Sequence, residues 1–251
     1  MKHVMAMVAL IAAAPAFASA ASLFHDGRFT EAATAGRVEG TPAALILAGR
    51  ATLIVASFET TDRERAKAQI DAAEHDFDAA LAKEPGSLEA ALMKAQAVGY
   101  RGKLMKSPGL AKETRTRIEA VLARDPNNGL AWSSLAGWHA GAVASVGKFI
   151  AGTVLGASTK VALADFETAL AKDARNPVEY AFYGLTLLDL GTENAPRAMQ
   201  LLETVAKMPA RDAYESLLKR ETAQVLPLLA GGDVKGAQQL ARRLLPFGKL
   251  A

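Results

Sequence analysis

The chain has 251 residues and a formal net charge of +3. That excess is too small and too scattered to make a nucleic-acid footprint, so no nucleic-acid partner is expected. Hydrophobic residues make up 51% and aromatics only 6%, a mixture that favours close-packed Ala and Leu helices over sheets and predicts an all-α protein. The absence of cysteine excludes a disulfide framework, a thiol nucleophile and a lipidated cysteine anchor.

Residues 1–20 start with Lys2 and His3, continue through an apolar run from Val4 to Phe17 broken by Pro15, and end in Ala18-Ser19-Ala20. This reads as a signal peptide cleaved after Ala20, because the run is shorter than the roughly 20 apolar residues of a membrane-spanning helix and small residues occupy the cleavage site. Residues 21–251 are then expected to form one soluble, periplasmic, non-lipidated domain with no transmembrane segment. Asp26-Gly27-Arg28-Phe29 predicts a tight turn into a helix. Further helix-pair units are expected to begin near Thr41, Leu88, Gly129, Pro177 and Asp212. The junctions Lys83–Ser87 and Arg124–Asn128 pair a helix-stopping proline with a Ser or Asn that starts the next helix. At Lys172–Pro177 the proline sits where a helix can start. Gly231-Gly232-Asp233 predicts a turn, after which Val234–Leu245, carrying Arg242 and Arg243, predicts a polar-faced capping helix.

A rhythm runs through these segments. Ala73, Phe77, Ala80 and Pro85 are followed 41 residues later by Thr114, Ile118, Val121 and Pro126; Ala162, Phe166 and Ala169, then Ala198, Leu202 and Val205, keep the first two steps. With Trp132, Leu135 and Ala136, and with Tyr180 and Gly184, at matching places in the preceding helices, the chain resembles the tetratricopeptide repeat (TPR) family, whose unit is about 34 residues. The resemblance implies a right-handed superhelical stack of antiparallel helix pairs, an α-solenoid. It also implies a concave binding face lined by Glu89, Leu92, Gln96 and Gly99, by Leu130, Ser133, Gly137 and Ala140, and by Val178, Ala181, Leu185 and Leu188. On that basis Leu92, Gln96, Ser133, Gly137, Ala140, Ala181, Leu185 and Leu188 are candidate partner-binding residues. Phe182, outside the signature positions, joins them as a candidate exposed aromatic. The face lacks the Lys, Arg and Asn ladder by which some members of the family hold acidic peptide tails.

Between Leu130 and Gly156 the pattern changes: Gly137, Gly141, Gly147, Gly152 and Gly156 stand among apolar residues, with Lys148 the only formal charge. Three readings stay open, namely a long core helix that breaks near Gly147 or Gly152, one wall of a pocket for a hydrophobic ligand or partner helix, and a membrane helix. No metal-ligand spacing, nucleophile elbow or phosphate-cradling glycine loop is present, so neither catalysis nor a cofactor or metal is expected. Asp71, Glu74, His75, Asp76 and Asp78 read as a solvated face, and His139 as a buried hydrogen-bonded histidine or a ligand contact. The functional expectation is a scaffold or adaptor for a protein or peptide. The alternative is a carrier or transport accessory for a lipid or other hydrophobic small molecule held beside residues 131–155.

Overall fold

The computed structural model describes residues 18–250, and among them every regular element is helical and no strand occurs. The expected all-α class is met. The signal-peptide reading falls almost wholly on residues outside those described. Helix α1 (Ala20–His25) begins at the residue after which cleavage was expected, with Ser19 as its cap and Ala20 buried. The turn at Gly27 then leads into α2 (Phe29–Glu39).

There follow α3 (Pro42–Ile54), which ends in a π-helical turn (Val55–Glu59), α4 (Arg63–Lys83), α5 (Leu88–Met105) and α6 (Pro108–Arg124). Next come α7 (Gly129–Ile150), also with a π-helical end (Ala151–Leu155), α8 (Thr159–Lys172) and α9 (Pro177–Leu190). The chain finishes with α10 (Ala195–Lys207), α11 (Ala213–Ala223), α12 (Leu226–Ala230) and α13 (Val234–Leu244). All five expected unit starts are helix N-termini. Thr41, Ser87, Asn128, Asn176 and Asp212 each offer a side-chain oxygen to a backbone N–H of the first turn, which satisfies one of the donors a helix start leaves without a partner.

The rhythm read from the sequence marks the core. Ala73, Phe77, Ala80, Thr114, Ile118, Val121, Ala162, Phe166, Ala169, Ala198, Leu202 and Val205 are all buried. Two of the large members press on glycines of the preceding helix. A Cβ on Gly49 would lie 2.4 Å from the Phe77 ring, and one on Gly184 would lie 2.6 Å from Leu202. Helix backbones approach there as closely as the side chains allow, so glycine is needed for space and not for its dihedral freedom.

Segment Pro42–Glu59 is long and apolar enough to cross a membrane, but 67% of it is buried inside the fold. It belongs to the core. Helix α9 packs against α7, α8, α10, α11 and α13. The carboxyl-terminal tail returns to the amino-terminal half: Phe247 N–H donates to Ser57 O at 2.9 Å, Lys103 Nζ donates to Pro246 O at 3.0 Å, and the Phe247 ring meets Tyr100 edge-on at 5.0 Å. Truncating Phe77 to Ala should therefore cost about 3–5 kcal/mol in urea denaturation. The same truncation at exposed Met105 should change stability by no more than about 0.5 kcal/mol.

Candidate functional site

The residues expected to line a concave face separate into two groups. Leu92, Ala140, Ala181, Leu185 and Leu188 are buried, because the chain fills that face itself. Leu185 and Leu188 share a core with Ala237, Ala241 and Leu244 of α13, whose Gln238 Nε2 donates to Leu188 O at 2.8 Å and whose Arg242 Nε donates to Asp189 Oδ1 at 2.6 Å. Ala181 packs with Leu218 of α11 and with Leu23 and Phe24 of α1. Leu92 lies in the core formed by α3 to α6, beside Leu53 and Ile70. These five positions are corrected from surface to core: the terminal helices cover Ala181, Leu185 and Leu188 from far away in sequence, Leu92 is enclosed among α3 to α6, and Ala140 is buried as well.

Gln96, Ser133 and Phe182 are half-buried, and Gly137 is exposed. Gln96 Nε2 donates to Ser134 Oγ at 2.8 Å, linking α5 to α7. Phe182, expected to be exposed, instead stands against Phe58 with ring centroids 6.4 Å apart.

What remains open lies on α7 and its corner with α8, where the two helical segments meet at 94°. Trp138 holds the middle of α7 to α6 by donating from Nε1 to Ala111 O at 2.7 Å. Along α7, Ser133, Gly137, Gly141 and Ser145 recur every four residues and so share one face. A Cβ built on Gly137 or Gly141 would find no neighbour within 4 Å. The helix breaks at Gly147, with φ 79° and ψ 158°, a backbone region open essentially to glycine alone. This fits the broken-helix reading of the sequence. Around and beyond the break, Val146, Phe149, Ile150, Val154 and Val161 are 44, 81, 51, 47 and 40% exposed. They make up five of the seven large hydrophobic side chains exposed among the described residues.

A cleft of about 370 Å³ opens beside this corner, lined by Val143, Lys148, Gly152, Ala157, Ser158, Thr159 and Lys160. A larger cleft of about 470 Å³ separates the α1–α2 turn from α11. None of the residues singled out from the sequence as binding residues lines it. Charges of both signs do: Asp26, Glu59, Arg211, Asp212 and Arg220. Arg211 is already taken by a two-nitrogen contact to Glu215.

The buried ionisable groups serve separate parts of the fold. His139 Nδ1 accepts from Ser158 N at 3.2 Å and pins the start of α8 to α7. Burial, with the positive charge of Arg115, lowers its pKa to about 4, so it is neutral at pH 7. Burial raises Asp165 to about 6, opposed by Arg115. Glu179, almost fully enclosed, is pushed up to about 8 by burial and by Asp173. Its Oε1 accepts from Asn176 Nδ2 at 3.3 Å, while Oε2 has no partner. The acidic face of α4 is neutralised by pairing: Asp76 binds Arg37, Asp78 binds Lys94, and Asp71 and Glu74 face Arg101. Among the described residues no three His, Asp or Glu side chains gather as a metal site. No known family profile matches the chain, and no curated protein matches its sequence.

Two sets of outcomes follow. Gly137→Ala should raise stability by about 0.4–1 kcal/mol, since the site has room and glycine only weakens the helix. Gly147→Ala should lower it by about 1–3 kcal/mol, because alanine is strained in that backbone region; paired thermal melts would read both. For Glu179, a carboxyl whose folded pKa of about 8 lies above its ordinary 4.5 holds more protons folded than unfolded between those values, so stability falls as pH rises through that window. Glu179→Gln removes this loss. The variant should gain on the parent between pH 5 and pH 9 by an amount on the order of 2 kcal/mol, measured by urea midpoints across pH.

Proposed function

We propose that this chain is an exported scaffold or adaptor without catalytic activity, built as a TPR-like stack of antiparallel helix pairs. Its protein or peptide partner lies along the open face of α7. The observation that carries this reading is the pair Gly137 and Gly141, on which an added Cβ would meet nothing within 4 Å. Glycine inside a helix costs about 1 kcal/mol relative to alanine. Gly49 and Gly184 offset that cost by admitting Phe77 and Leu202, whereas no side chain of this protein uses the space at 137 and 141. A line of Ser, Gly, Gly and Ser at four-residue steps lets a second helix backbone come close, which suits a helical partner docked by shape. The five inner-face residues buried by α11, α13 and the rest of the fold are not part of this surface.

The second reading, a carrier of a hydrophobic small molecule, is favoured by the 370 Å³ cleft beside α7, which is within the size range of small-ligand sites. Native mass spectrometry of freshly purified protein would return a co-purifying ligand on this reading and an empty chain otherwise.

Photo-crosslinking in the parent cells tests the adaptor. A benzophenone side chain at position 137 or 141 should give one discrete protein adduct, and the same probe at exposed position 38 on α2 should not. Gly137→Leu should abolish the adduct formed from position 141 while leaving the melting temperature within a few degrees, because the site is open. Adducts that persist in Gly137→Leu, or that form equally from position 38, would remove α7 as the partner face.

A further inference from the structure

We infer that the corner between α7 and α8 seats in an anionic lipid surface and so holds the scaffold at a membrane. The inference rests on the reading of α7 as the working helix but concerns a different part of it, around and beyond the break at Gly147. Three observations meet there. First, Val146, Phe149, Ile150, Val154 and Val161 are exposed together, with Phe149 the most open at 81%. Concentrations of exposed large apolar side chains of this kind mark interaction or membrane sites.

Second, the charge on the corner's own segment has one sign, and the nearest acidic side chain brought by α6, Glu119, is paired with Arg115. No Asp or Glu occurs between Asp125 and Asp165, and Lys148 and Lys160, brought from opposite sides of the corner, line one cleft. A protein partner could match the apolar residues alone. Apolar side chains flanked by two lysines, on a segment that carries no acidic residue of its own, instead suit the boundary between acyl chains and negatively charged headgroups, where apolar burial and attraction to anionic lipid add together.

Third, the cleft can receive a headgroup. Its walls combine the two lysines with Ser158 and Thr159, and Thr159 Oγ1 is buried without a hydrogen-bond partner. The corner is held firmly enough to present these groups. Arg115 of α6 lies over the Trp138 ring at 5.5 Å and donates from Nη1 to Leu155 O at 3.5 Å, and Ala157 N–H closes the π turn onto Ala151 O at 2.9 Å. A phosphate in the cleft would be held by the ammonium groups and hydroxyls while Phe149 and Ile150 enter the acyl boundary.

Vesicle flotation with residues 21–251 is the test. The chain should float with vesicles of phosphatidylglycerol and phosphatidylcholine in equal parts, and not with phosphatidylcholine alone. Binding should weaken as salt rises, because screening shortens the reach of the lysines. Phe149→Ser with Ile150→Ser, or Lys148→Glu with Lys160→Glu, should each weaken binding roughly ten-fold or more, while Val38→Ser, at a distant exposed site, should leave it unchanged. In a separate variant, Phe149→Trp emission should shift to the blue on the anionic vesicles. Failure of the parent chain to float, flotation undiminished in both double variants, or a dimer in light scattering that Phe149→Ser dissolves without any vesicle binding would each overturn the inference. If vesicles are not bound while crosslinks at 137 and 141 form, the lipid proposal falls and the adaptor reading stands. Flotation without crosslinks supports the lipid proposal and removes the adaptor reading.

Discussion

The packing of α9 is the constraint on which the rest of the fold depends. This helix buries residues on every side, from Pro177 through Leu188, and touches α7, α8, α10, α11 and α13. A helix apolar all round must be enclosed, and no single neighbour could enclose it. Its demand draws the last helices onto its inner face and α1 and α3 toward its start, where Ala181 joins Leu23, Phe24 and Ile54. The tail at Phe247 completes the closure by bonding to Ser57. A face that an open stack of helices would leave for a partner is consumed as core.

That closure moves the candidate surface outward. With the inner face filled, the residues left bare include the small line on α7 and the apolar corner around Gly147. The glycines make the distinction physical. Gly49 and Gly184 are pressed by Phe77 and Leu202, Gly147 is fixed by its backbone angle, and Gly137 and Gly141 are constrained by neither. One residue type thus serves close packing, a helix break and an open surface within a single chain.

Local signals are legible in the sequence because local physics generates them. Thr41, Ser87, Asn128, Asn176 and Asp212 cap helices since their side chains bond N–H groups two or three residues away, and that chemistry needs nothing else. The rhythm through Phe77, Ile118, Phe166 and Leu202 found the core because residues at these steps share a helix face. The break near Gly147 was legible for the same reason. The inner-face residues were not, since Leu185 looks alike whether it meets a partner or Ala241 of α13. Phe182 likewise carries no local mark of its neighbour Phe58.

The sequence by itself determined an all-helical chain, where its helices begin, which steps face the core and where one helix breaks. Each of these follows from contacts within a few residues along the chain. Only the tertiary structure decided that the inner face is closed, that Glu179 is enclosed with an oxygen lacking a partner, and that Lys148 and Lys160 line one cleft beside exposed Phe149. These depend on helices far apart in sequence competing for the same apolar surface, and the larger burial wins.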